Sequence, residues 1–416
     1  MDYNPDLIGM SASRRLLFLS HRLPFPAHSG ADIRTFNVWK ELAKEWKIDA
    51  IVVHNRAEDV PGLSLAERVD ALSDFGSVRL VSLANQQSLL RTAMAHTWAL
   101  ARGVPYIDET FRDRSLTSQI AACLSHTRYD AVHVDSIALM CTLPLLGRSP
   151  VVLTHHNIES DLLSRRAQFS SNGVARAYLQ LQARRLRSAE AFWAPRVALN
   201  ICVSDEDAVR LKQIAPDATV ETVPNAVDAG VLGQTGFHER QAHGVFVGGL
   251  NWFPNADALE YYASEIEPLF NDWPDGFQTD WIGKANDTQK SAFDAHRSIN
   301  VVGYAPDLSP YMSQARVFIA PLRVGGGTRL KILDAWAAGV PVVATSLACE
   351  GLRAQHDVDL LIGDSPMSFV EGVRRLITDG ELWRRVAARA KERVHQEFSW
   401  AAVGGQLRAH YNDLAP

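Results

Sequence analysis

The segment from Pro321 to Thr345 combines the residue types of an anion-binding turn. An apolar strand ends at Pro321, three glycines follow at 325–327, and a helix is predicted to begin near Thr328. Glycine lets backbone N–H groups approach an anion closely, and a helix N-terminus adds a favourable dipole. The pattern therefore predicts an anion site, although an ordinary strand-to-helix turn has the same glycine-rich sequence.

Charged residues surround this turn at a spacing that suits a nucleoside diphosphate. Arg323, Arg329 and Lys331 place positive charge beside the predicted helix start, and Asp334 follows about one turn later. The cations would neutralise a diphosphate, and the carboxylate would accept hydrogen bonds from a ribose beyond it. Solvated cations on a surface turn are the alternative that spacing alone leaves open.

Two series of alternating strands and helices would position this turn. Short apolar runs at 15–20, 48–53, 131–134 and 151–154 alternate with helical segments, and a second series begins at residue 244. Such alternation predicts doubly wound parallel sheets. A chain of 416 residues is long enough for two domains of this kind.

The boundary between the two series is predicted in residues 228–242, which contain several glycines and little apolar periodicity. We therefore predict a first domain at 1–230 and a second at 231–395. A helix at 396–416 would follow and pack back on the first domain.

Composition excludes several classes of protein. Hydrophobic residues make up 47% and charged residues 21% of the chain, as in a globular protein. A net charge of −5 gives no reason to expect nucleic-acid binding. No apolar run is long enough to cross a membrane, and residues 1–13 lack the apolar core of a signal peptide. The four cysteines are far apart, so neither a zinc site nor a disulfide framework is expected, and a cytoplasmic location is predicted.

The segment from Arg323 to Thr345 resembles the donor signature of the family-4 retaining glycosyltransferases of the GT-B fold. It is closest to the branch that reads Gly-x-Gly-x-Arg-Leu-Lys-x-Leu-Glu-Ala before Ala-Gly-x-Pro-Val-Val-x-Thr. Further matches follow the family's order along nearly the whole chain, at 29–34, 155–157, 203–204, 223–228, 246–249, 254–255 and 302–304.

The resemblance implies an α/β chain of the GT-B fold, with two Rossmann-like doubly wound domains that face each other across a cleft. It implies retaining transfer of a hexosyl group from a nucleotide-sugar donor to a saccharide or lipid-linked acceptor, in bacterial surface polysaccharide or glycoconjugate synthesis. No cofactor and no metal are expected, since we find no convincing Asp-x-Asp pair. The departing phosphate would help to take the acceptor proton, so no enzyme nucleophile is required.

The resemblance also implies roles for individual residues. The expected catalytic residues are His156, which would face the donor sugar, and Arg329 and Lys331, which would stabilise the leaving diphosphate. The expected donor-binding residues are Gly30, Gly249, Asn255, Gly303, Tyr304, Arg323, Gly325, Gly326, Gly327, Thr328 and Asp334.

The chain departs from the family pattern at two places. The family often has two glutamates separated by seven residues, whereas this chain has Gly326 and Asp334 at those positions. The branch that it resembles commonly lacks the first glutamate, and Asp334 can still accept hydrogen bonds from a ribose. Many relatives carry an arginine where this chain has Gly249, so Arg323, Arg329 or Lys331 would substitute for that cation.

Two residues near the expected site are predicted to have other roles. His155 is assigned mainly a structural role, because paired histidines bind a metal only with a further ligand that the sequence does not indicate. Glu350 follows a predicted strand but is expected to lie on the surface.

One segment points to a membrane. Residues 160–191 are predicted to form a single long helix in which many arginines lie beside leucine and phenylalanine. This pattern is compatible with a peripheral contact at the inner membrane face, but a solvated basic face over a stripe that packs in the core is its commoner explanation.

Two other functions remain compatible with the sequence. A nucleotide-sugar 2-epimerase would share the fold and act without an acceptor. A non-catalytic protein that binds a nucleotide sugar is compatible with Asp334 and Gly249. A dinucleotide-dependent oxidoreductase is excluded, because no Gly-x-Gly-x-x-Gly follows the first strand.

Overall fold

The computed structural model describes residues 14–27, 29–55, 59, 62–83, 88–170, 172–228, 236–270, 273, 277–325 and 330–414. These residues form two parallel sheets, one in each half of the chain, with helices on both faces. This is the doubly wound α/β architecture that the alternation of strands and helices predicts.

The first sheet has seven parallel strands in the order β3-β2-β1-β4-β5-β6-β7. The strands are β1 (Arg15–Ser20), β2 (Lys47–Val53), β3 (Ser77–Val81), β4 (Ala131–Val134), β5 (Val151–His155), β6 (Leu199–Cys202) and β7 (Val220–Thr222). The helices that connect them are α1 (Gly30–Leu42), α2 (Leu65–Ser73), α3 (Leu89–Arg102), α4 (Tyr106–Phe111), α5 (Arg114–His126), α6 (Glu159–Gln168), α7 (Gly173–Trp193) and α8 (Asp205–Ile214).

The second sheet has six parallel strands in the order β10-β9-β8-β11-β12-β13. The strands are β8 (Gln241–Val247), β9 (Thr279–Ile282), β10 (Ile299–Gly303), β11 (Ala315–Ala320), β12 (Val342–Ala344) and β13 (Leu361–Ile362). The helices are α9 (Phe253–Tyr261), α10 (Asp287–Ser291), α11 (Ser309–Gln314), α12 (Leu330–Ala337), α13 (Pro366–Thr378), α14 (Gly380–Glu397) and α15 (Trp400–Leu414). Short 3-10 or π segments occur at Ile137–Leu145, Ala194–Arg196, Phe237–Glu239, Tyr262–Ile266 and Glu267–Phe270.

The apolar runs that indicated strands are buried on both faces. Leu16 and Phe18 belong to one hydrophobic core of the first sheet, and Leu17 and Leu19 belong to a second core on the other face. Successive side chains of a strand point to opposite faces, so a sheet covered by helices on both sides needs a continuous apolar strand.

The strand order reverses direction once in each sheet. In the first sheet β1 lies between β2 and β4, and in the second sheet β8 lies between β9 and β11. In open α/β sheets, ligands bind beyond the carboxyl ends of the strands at such a switch point. The topology therefore predicts that a ligand binds beside the residues that follow β1 and β4, and beside those that follow β8 and β11.

The helix predicted at residues 160–191 is instead two helices. α6 ends at Gln168, and α7 begins at Gly173 after Asn172, whose side chain accepts hydrogen bonds from the backbone of Val174 and Ala175. An asparagine N-cap of this kind starts a new helix by satisfying otherwise unpaired N–H groups. The prediction of a single helix was wrong for this reason.

The last helix lies against the first sheet's half of the chain. Arg408 of α15 pairs with Glu41 and with Glu45, at 2.7 Å for the second pair. The Tyr411 hydroxyl lies 2.5 Å from Nδ1 of His133 in β4. Within the described ranges, no helix is both long enough and apolar enough to cross a bilayer.

Candidate active site

Glycines occupy the carboxyl ends of β8 and β9, at the switch point of the second sheet. A Cβ on Gly248 would lie 2.8 Å from Nζ of Lys331 and 2.6 Å from Nδ2 of Asn255. Gly283 has φ +152°, and a Cβ there would lie 2.5 Å from the carbonyl carbon of Gly248. Neither glycine position has space for a Cβ, because the backbone of Gly248 lies against the side chains of Asn255 and Lys331, and Gly283 lies against the backbone of Gly248.

Lys331 lies in the first turn of α12 and is held by neighbours from two other elements. Its Nζ donates to Oδ1 of Asn255 at 2.7 Å, and Nδ2 of Asn255 donates to the carbonyl of Gly249 at 2.9 Å. The ammonium also lies 4.0 Å from the centre of the Phe246 ring. The amide of Asn255 and the ring of Phe246 are neutral groups that fix the position of the cation. The structure thus brings together three of the predicted site residues, Lys331, Asn255 and Gly249.

Arg323 follows β11 at the same edge, but its guanidinium is engaged by carboxylates. Nη2 and Nε donate to Asp257 at 2.9 and 3.2 Å, and Nη1 lies 3.6 Å from Glu265. The guanidinium also stacks over the Tyr261 ring. A donor phosphate would have to compete with these acidic partners, so Arg323 is a weaker candidate for phosphate binding than the sequence indicates.

Two of the predicted donor-binding residues, Gly303 and Tyr304, lie at the carboxyl end of β10. Gly303 has φ +91°, and a Cβ at this position would lie 2.8 Å from Nζ of Lys290. Tyr304 is 51% exposed, as a residue that borders an open crevice would be. Lys290 adds a cation near this turn that sequence analysis did not single out.

Asp334 lies one turn into α12 from Lys331, in the position expected for a ribose-binding carboxylate. Burial raises the pKa of Asp334 to about 7, and the negative charge of Asp228 adds to the effect. Both protonation states are therefore populated near neutral pH. The protonated acid can donate a hydrogen bond, and the carboxylate can accept from a diol.

The remaining residues of the predicted phosphate loop, which are Gly326, Gly327, Thr328 and Arg329, lie outside the described residues. Their assignment stays a prediction from the sequence. Gly325 is described, and its carbonyl oxygen accepts a hydrogen bond from Nη1 of Arg165 at 2.5 Å.

A buried carboxylate organises the facing edge of the first sheet. Asp135 follows β4, is 1% exposed, and accepts a hydrogen bond from Oγ1 of Thr35 at 2.9 Å. Ring nitrogens of His21, His133 and His156 lie 3.4, 3.5 and 3.4 Å from its carboxylate oxygens. Three imidazoles and one hydroxyl from four different segments therefore converge on one carboxylate.

Charge and burial oppose each other in this cluster. Burial disfavours the ionised form of Asp135, but the charge of His156 and the hydrogen bonds of the imidazoles outweigh it, so its pKa is held well below the usual range. Burial lowers the pKa of His21 and of His133, although Asp135 acts in the opposite direction on both. The cluster therefore keeps one negative charge beside the imidazoles of His21 and His133, whose neutral forms burial favours.

Sequence analysis selected His156 from this cluster and missed Asp135 and His21. Asp135 follows the last residue of β4 directly, and His21 follows the last residue of β1. These two strands flank the switch point, so position directly after such strands is the signal that would have identified both residues.

Gly30 lies where the edge of the first sheet approaches the edge of the second sheet. It is the first residue of α1, after Ser29 caps the helix by accepting from the backbone N–H of Asp32. A Cβ on Gly30 would lie 3.4 Å from Cδ1 of Leu330, the first residue of α12. The N-terminal ends of α1 and α12 therefore face each other, and both contribute a positive dipole end to the space between the sheets.

Arginines from the first half also reach the second half. Nη1 of Arg165 lies 3.3 Å from Glu350, and Arg210 forms a close ion pair with the same carboxylate. The charge and hydrogen bonds of Arg210 outweigh burial and lower the pKa of Glu350. The prediction that Glu350 is a surface residue was wrong, because its side chain is only 18% exposed and joins the two halves.

His155 is buried and separate from the cluster. Its Nε2 lies 3.0 Å from Oδ1 of Asn200, and burial lowers its pKa to about 4. Both observations fit the structural role predicted for it. Within the part of the chain that the structure describes, no group of three or more His, Cys, Asp or Glu side chains has the geometry of a metal site.

Two family profiles match the chain, one in each half. Residues 76–231 match the family described as Glycosyltransferase Family 4, and residues 241–379 match the family described as Glycosyl transferases group 1. The second match contains the carboxyl edges of β8 to β11 with Lys331 and Asp334, and the first contains Asp135 and His156.

Sequence relatives match over limited segments. The phosphatidyl-myo-inositol mannosyltransferase of Mycolicibacterium smegmatis is 27% identical over 140 residues, which are 32% of this chain and 35% of that protein. Three curated relatives, this one included, match over 28%, 21% and 35% of their own lengths.

Solved structures match over nearly the full length. The sucrose-phosphate synthase from Thermosynechococcus elongatus has a TM-score of 0.70 at 15% identity, over 96% of this chain and 99% of that one. The Anabaena protein Alr3699/HepE, solved with UDP and glucose, has a TM-score of 0.66 at 15% identity, over 96% of this chain and 100% of that one. At this identity the likeness establishes the GT-B fold.

Proposed function

Because the chain belongs to the family-4, group 1 glycosyltransferases of the GT-B fold, we propose that it transfers a hexosyl group from a nucleotide-sugar donor to a saccharide or lipid-linked acceptor. The observation that carries the proposal is the placement of Lys331. This cation is held by Asn255 and the Phe246 ring at the switch point of the second sheet, and its ammonium packs against the backbone of Gly248.

The donor side would stabilise the leaving group. In the transfer, the bond between the sugar C1 and the β-phosphate oxygen breaks, and a bond between C1 and an acceptor oxygen forms. The nucleoside diphosphate gains negative charge as it departs. Lys331 and the dipole ends of α1 and α12 would stabilise that charge because they are already in place before the reaction.

We propose that the reaction retains the anomeric configuration and needs no metal ion. The acceptor would attack from the face that the diphosphate leaves, and the departing phosphate would take the acceptor proton. Protein cations and helix N-termini then perform the neutralisation that a divalent cation performs in other enzymes. Arg329, whose assignment comes from the family resemblance alone, is part of this proposal as a second phosphate ligand.

His156 would act from the opposite edge, toward the donor sugar or the acceptor. The contact at 3.4 Å between its Nε2 and Asp135 supports this role, because a buried carboxylate fixes the orientation of an imidazole. Asp135 does not need to touch the substrate for this function and is a positioning residue.

Closure of the cleft would exclude water and limit hydrolysis of the donor. The contact of Arg165 with the Gly325 carbonyl supports such a closed state, because it joins the first half to the start of the predicted phosphate loop. The ion pairs of Glu350 with Arg165 and Arg210 would stabilise the same state.

We propose a UDP-sugar as the first donor to test, since the similarly folded Anabaena protein was solved with UDP and with UDP-glucose. A role in bacterial surface polysaccharide or glycoconjugate synthesis, at the cytoplasmic side of the membrane, is part of the same proposal. The family assignment supports it without identifying the acceptor.

The test is a diphosphate-release assay with UDP-, GDP- and TDP-sugars in the presence of a panel of saccharide and lipid-linked acceptors. Release that depends on an acceptor supports the proposal, and NMR of the product's anomeric carbon distinguishes retention from inversion. Tight nucleotide binding without turnover for any pair would instead indicate a non-catalytic binding protein. Conversion of the donor sugar without an acceptor would indicate a 2-epimerase.

A further inference from the structure

Helix α3 presents large apolar side chains to solvent. Leu90, Met94 and Trp98 follow each other at intervals of four residues, which places them on one face of the helix. They are 71%, 49% and 53% exposed, whereas Ala95 and Ala99 on the opposite face are buried. The apolar face of this helix is therefore the outer one, opposite to the arrangement in an ordinary surface helix.

Helix α7 lies beside α3 and extends the same surface. Tyr178 of α7 contacts His96 of α3, and Arg185 donates to the carbonyl of Ala99 at 3.0 Å. Val174 and Leu181 lie four residues before and three residues after Tyr178, so they share its face of α7 and border α3. Val174 is 82% exposed and Leu181 is 36% exposed.

The two helices carry positive charge and no negative charge at their surfaces. Helices α3 and α7 contain six arginines, and their one acidic residue, Glu190, is buried, although the whole chain has a net charge of −5. Arg184 and Arg187 are exposed, and among the described residues neither forms an ion pair with a carboxylate. Arg176 is held by the backbone carbonyl of Ser170, which leaves its charge uncompensated.

One acidic side chain near the end of α3 is already paired with an arginine of that helix. Glu109 of α4 lies next to the end of α3, but it is 8% exposed and pairs with Arg102 at 2.8 Å. The guanidinium of Arg102 also lies over the Trp98 ring. A surface that combines uncompensated arginines with protruding Trp, Met, Leu and Val is suited to the boundary between lipid head groups and acyl chains.

From this combination we propose that the outer surface formed by α3 and α7 docks on a membrane that contains anionic lipids. We call it the basic apolar face, and define it by Leu90, Met94, Trp98, Val174, Leu181, Arg176, Arg184 and Arg187. The apolar side chains insert at the head-group level, and the arginines bind lipid phosphates.

Charge and shape favour a bilayer over other occupants. A second copy of the chain would bring the same arginines against each other in an isologous contact, which like-charge repulsion opposes. A nucleic acid would satisfy the arginines but would leave the protruding Leu90, Met94 and Val174 without apolar partners. A lipid surface satisfies both components.

This proposal does not rest on the transferase activity, because membrane binding is measured without donor or acceptor. It extends to a second helix the membrane contact that the arginines of residues 160–191 indicate. α6 and α7 follow His156 directly in the chain, so docking through α7 would hold the acceptor side of the cleft near the bilayer.

The test measures co-sedimentation of the full chain with vesicles of phosphatidylcholine alone and with added phosphatidylglycerol. We expect binding only to the anionic vesicles, with a partition coefficient that falls as salt increases. Trp98→Ala is expected to lower that coefficient at least about tenfold, and Arg187→Ala about fivefold. Met94→Glu should abolish binding.

Two control variants test whether a loss of vesicle binding is specific to the basic apolar face. Met367→Glu changes another exposed methionine, 66% exposed on α13, and Lys212→Ala removes an exposed cation on α8. Both should bind vesicles like the unmodified chain. The altered side chains are all exposed, and thermal unfolding is expected to be unchanged in each variant.

Several results would overturn the proposal. Absent binding, equal binding to both kinds of vesicle, or equal losses in face and control variants would each do so. A dimer in sedimentation velocity that Trp98→Ala dissociates would assign the face to a second copy. Binding to duplex DNA that survives Met94→Glu would assign the arginines to a nucleic acid.

Discussion

Substitution of Asp135 by Asn tests the first-sheet edge of the candidate site most directly. Asn has nearly the same shape, so the change removes the negative charge and leaves the packing intact. The carboxylate accepts from Thr35 at 2.9 Å and lies 3.4 Å from nitrogens of both His21 and His156. All these groups would lose a charged partner that is buried with them.

The size of the effect follows from those distances. A hydrogen bond to a charged group contributes about 1.5–3 kcal/mol. Only the Thr35 bond has normal hydrogen-bond length, and the imidazole contacts are longer and count as weaker electrostatic attraction. We therefore expect Asp135→Asn to lower the free energy of unfolding by about 2 kcal/mol at neutral pH.

This loss of stability should depend on pH in one direction. The pKa of Asp135 is depressed in the folded protein by the imidazoles around it. Its stabilising contribution is thus fully present above the unfolded value of about 4 and is lost as the pH falls through the folded pKa. The difference between the two proteins in urea unfolding should shrink as the solution becomes more acidic.

The catalytic readout distinguishes positioning from simple loss of stability. If Asp135 orients His156, Asp135→Asn should lower kcat about tenfold, which is about 1.4 kcal/mol, with little change in the KM for the donor. Asp130→Asn, an exposed carboxylate that accepts from the backbone of Arg15, is the control. Unchanged kcat in Asp135→Asn would refute the positioning role.

Three further substitutions test the other side of the cleft. Lys331→Met should weaken UDP binding in calorimetry about tenfold or more, because a charge-assisted phosphate contact is lost, while Lys391→Met on α14 should have no effect; equal affinities would reject the phosphate site. Asp334→Asn should abolish the rise in donor affinity expected between about pH 6 and 8, where a carboxyl with a pKa of about 7 ionises and becomes a better acceptor; a pH dependence that persists would reject the ribose contact. Arg165→Met should lower kcat about tenfold while UDP still binds, since this side chain contacts the Gly325 carbonyl and Glu350; normal turnover would show that the contact is not needed for closure.

The sequence was sufficient for the fold because each strand carries its own signal. Leu16 to Leu19 are all apolar, and only a strand covered on both faces needs such a run. This local rule does not depend on where distant segments lie. Gly249 and Gly303 were instead selected through the family resemblance, and a Cβ at these positions would lie 2.6 Å from Oδ1 of Asn251 and 2.8 Å from Nζ of Lys290.

The break between α6 and α7 shows where local patterns compete. The apolar spacing of residues 160–191 continues through the break and predicted one helix. Asn172 and Gly173 favour a helix start instead, because Asn172 is an N-cap and Gly173 has low helix propensity. In the structure a new helix begins at Gly173. The consequence is that α7 has its own direction and can lie beside α3.

Contacts between side chains that are distant in the sequence could not be predicted from local patterns. Glu350 was predicted to lie on the surface and not to be catalytic. Its partners Arg165 and Arg210 come from the other half of the chain, about 140 or more residues away. The contacts of Asp135 with His21 and His156 likewise depend on strand order, which a single sequence leaves undetermined.

The two edges of the cleft differ in charge in a way that suits one direction of group transfer. The second-sheet edge offers Lys331 and a helix dipole end, which attract a diphosphate, while the first-sheet edge offers Asp135 surrounded by imidazoles, which does not. A nucleotide sugar would therefore orient with its diphosphate toward α12 and its sugar toward His156. Removing both charges should abolish this preference, so Lys331→Met combined with Asp135→Asn is expected to lower kcat by more than Asp135→Asn alone. A kcat equal to that of Asp135→Asn alone would mean that the charges at the two edges do not orient the donor.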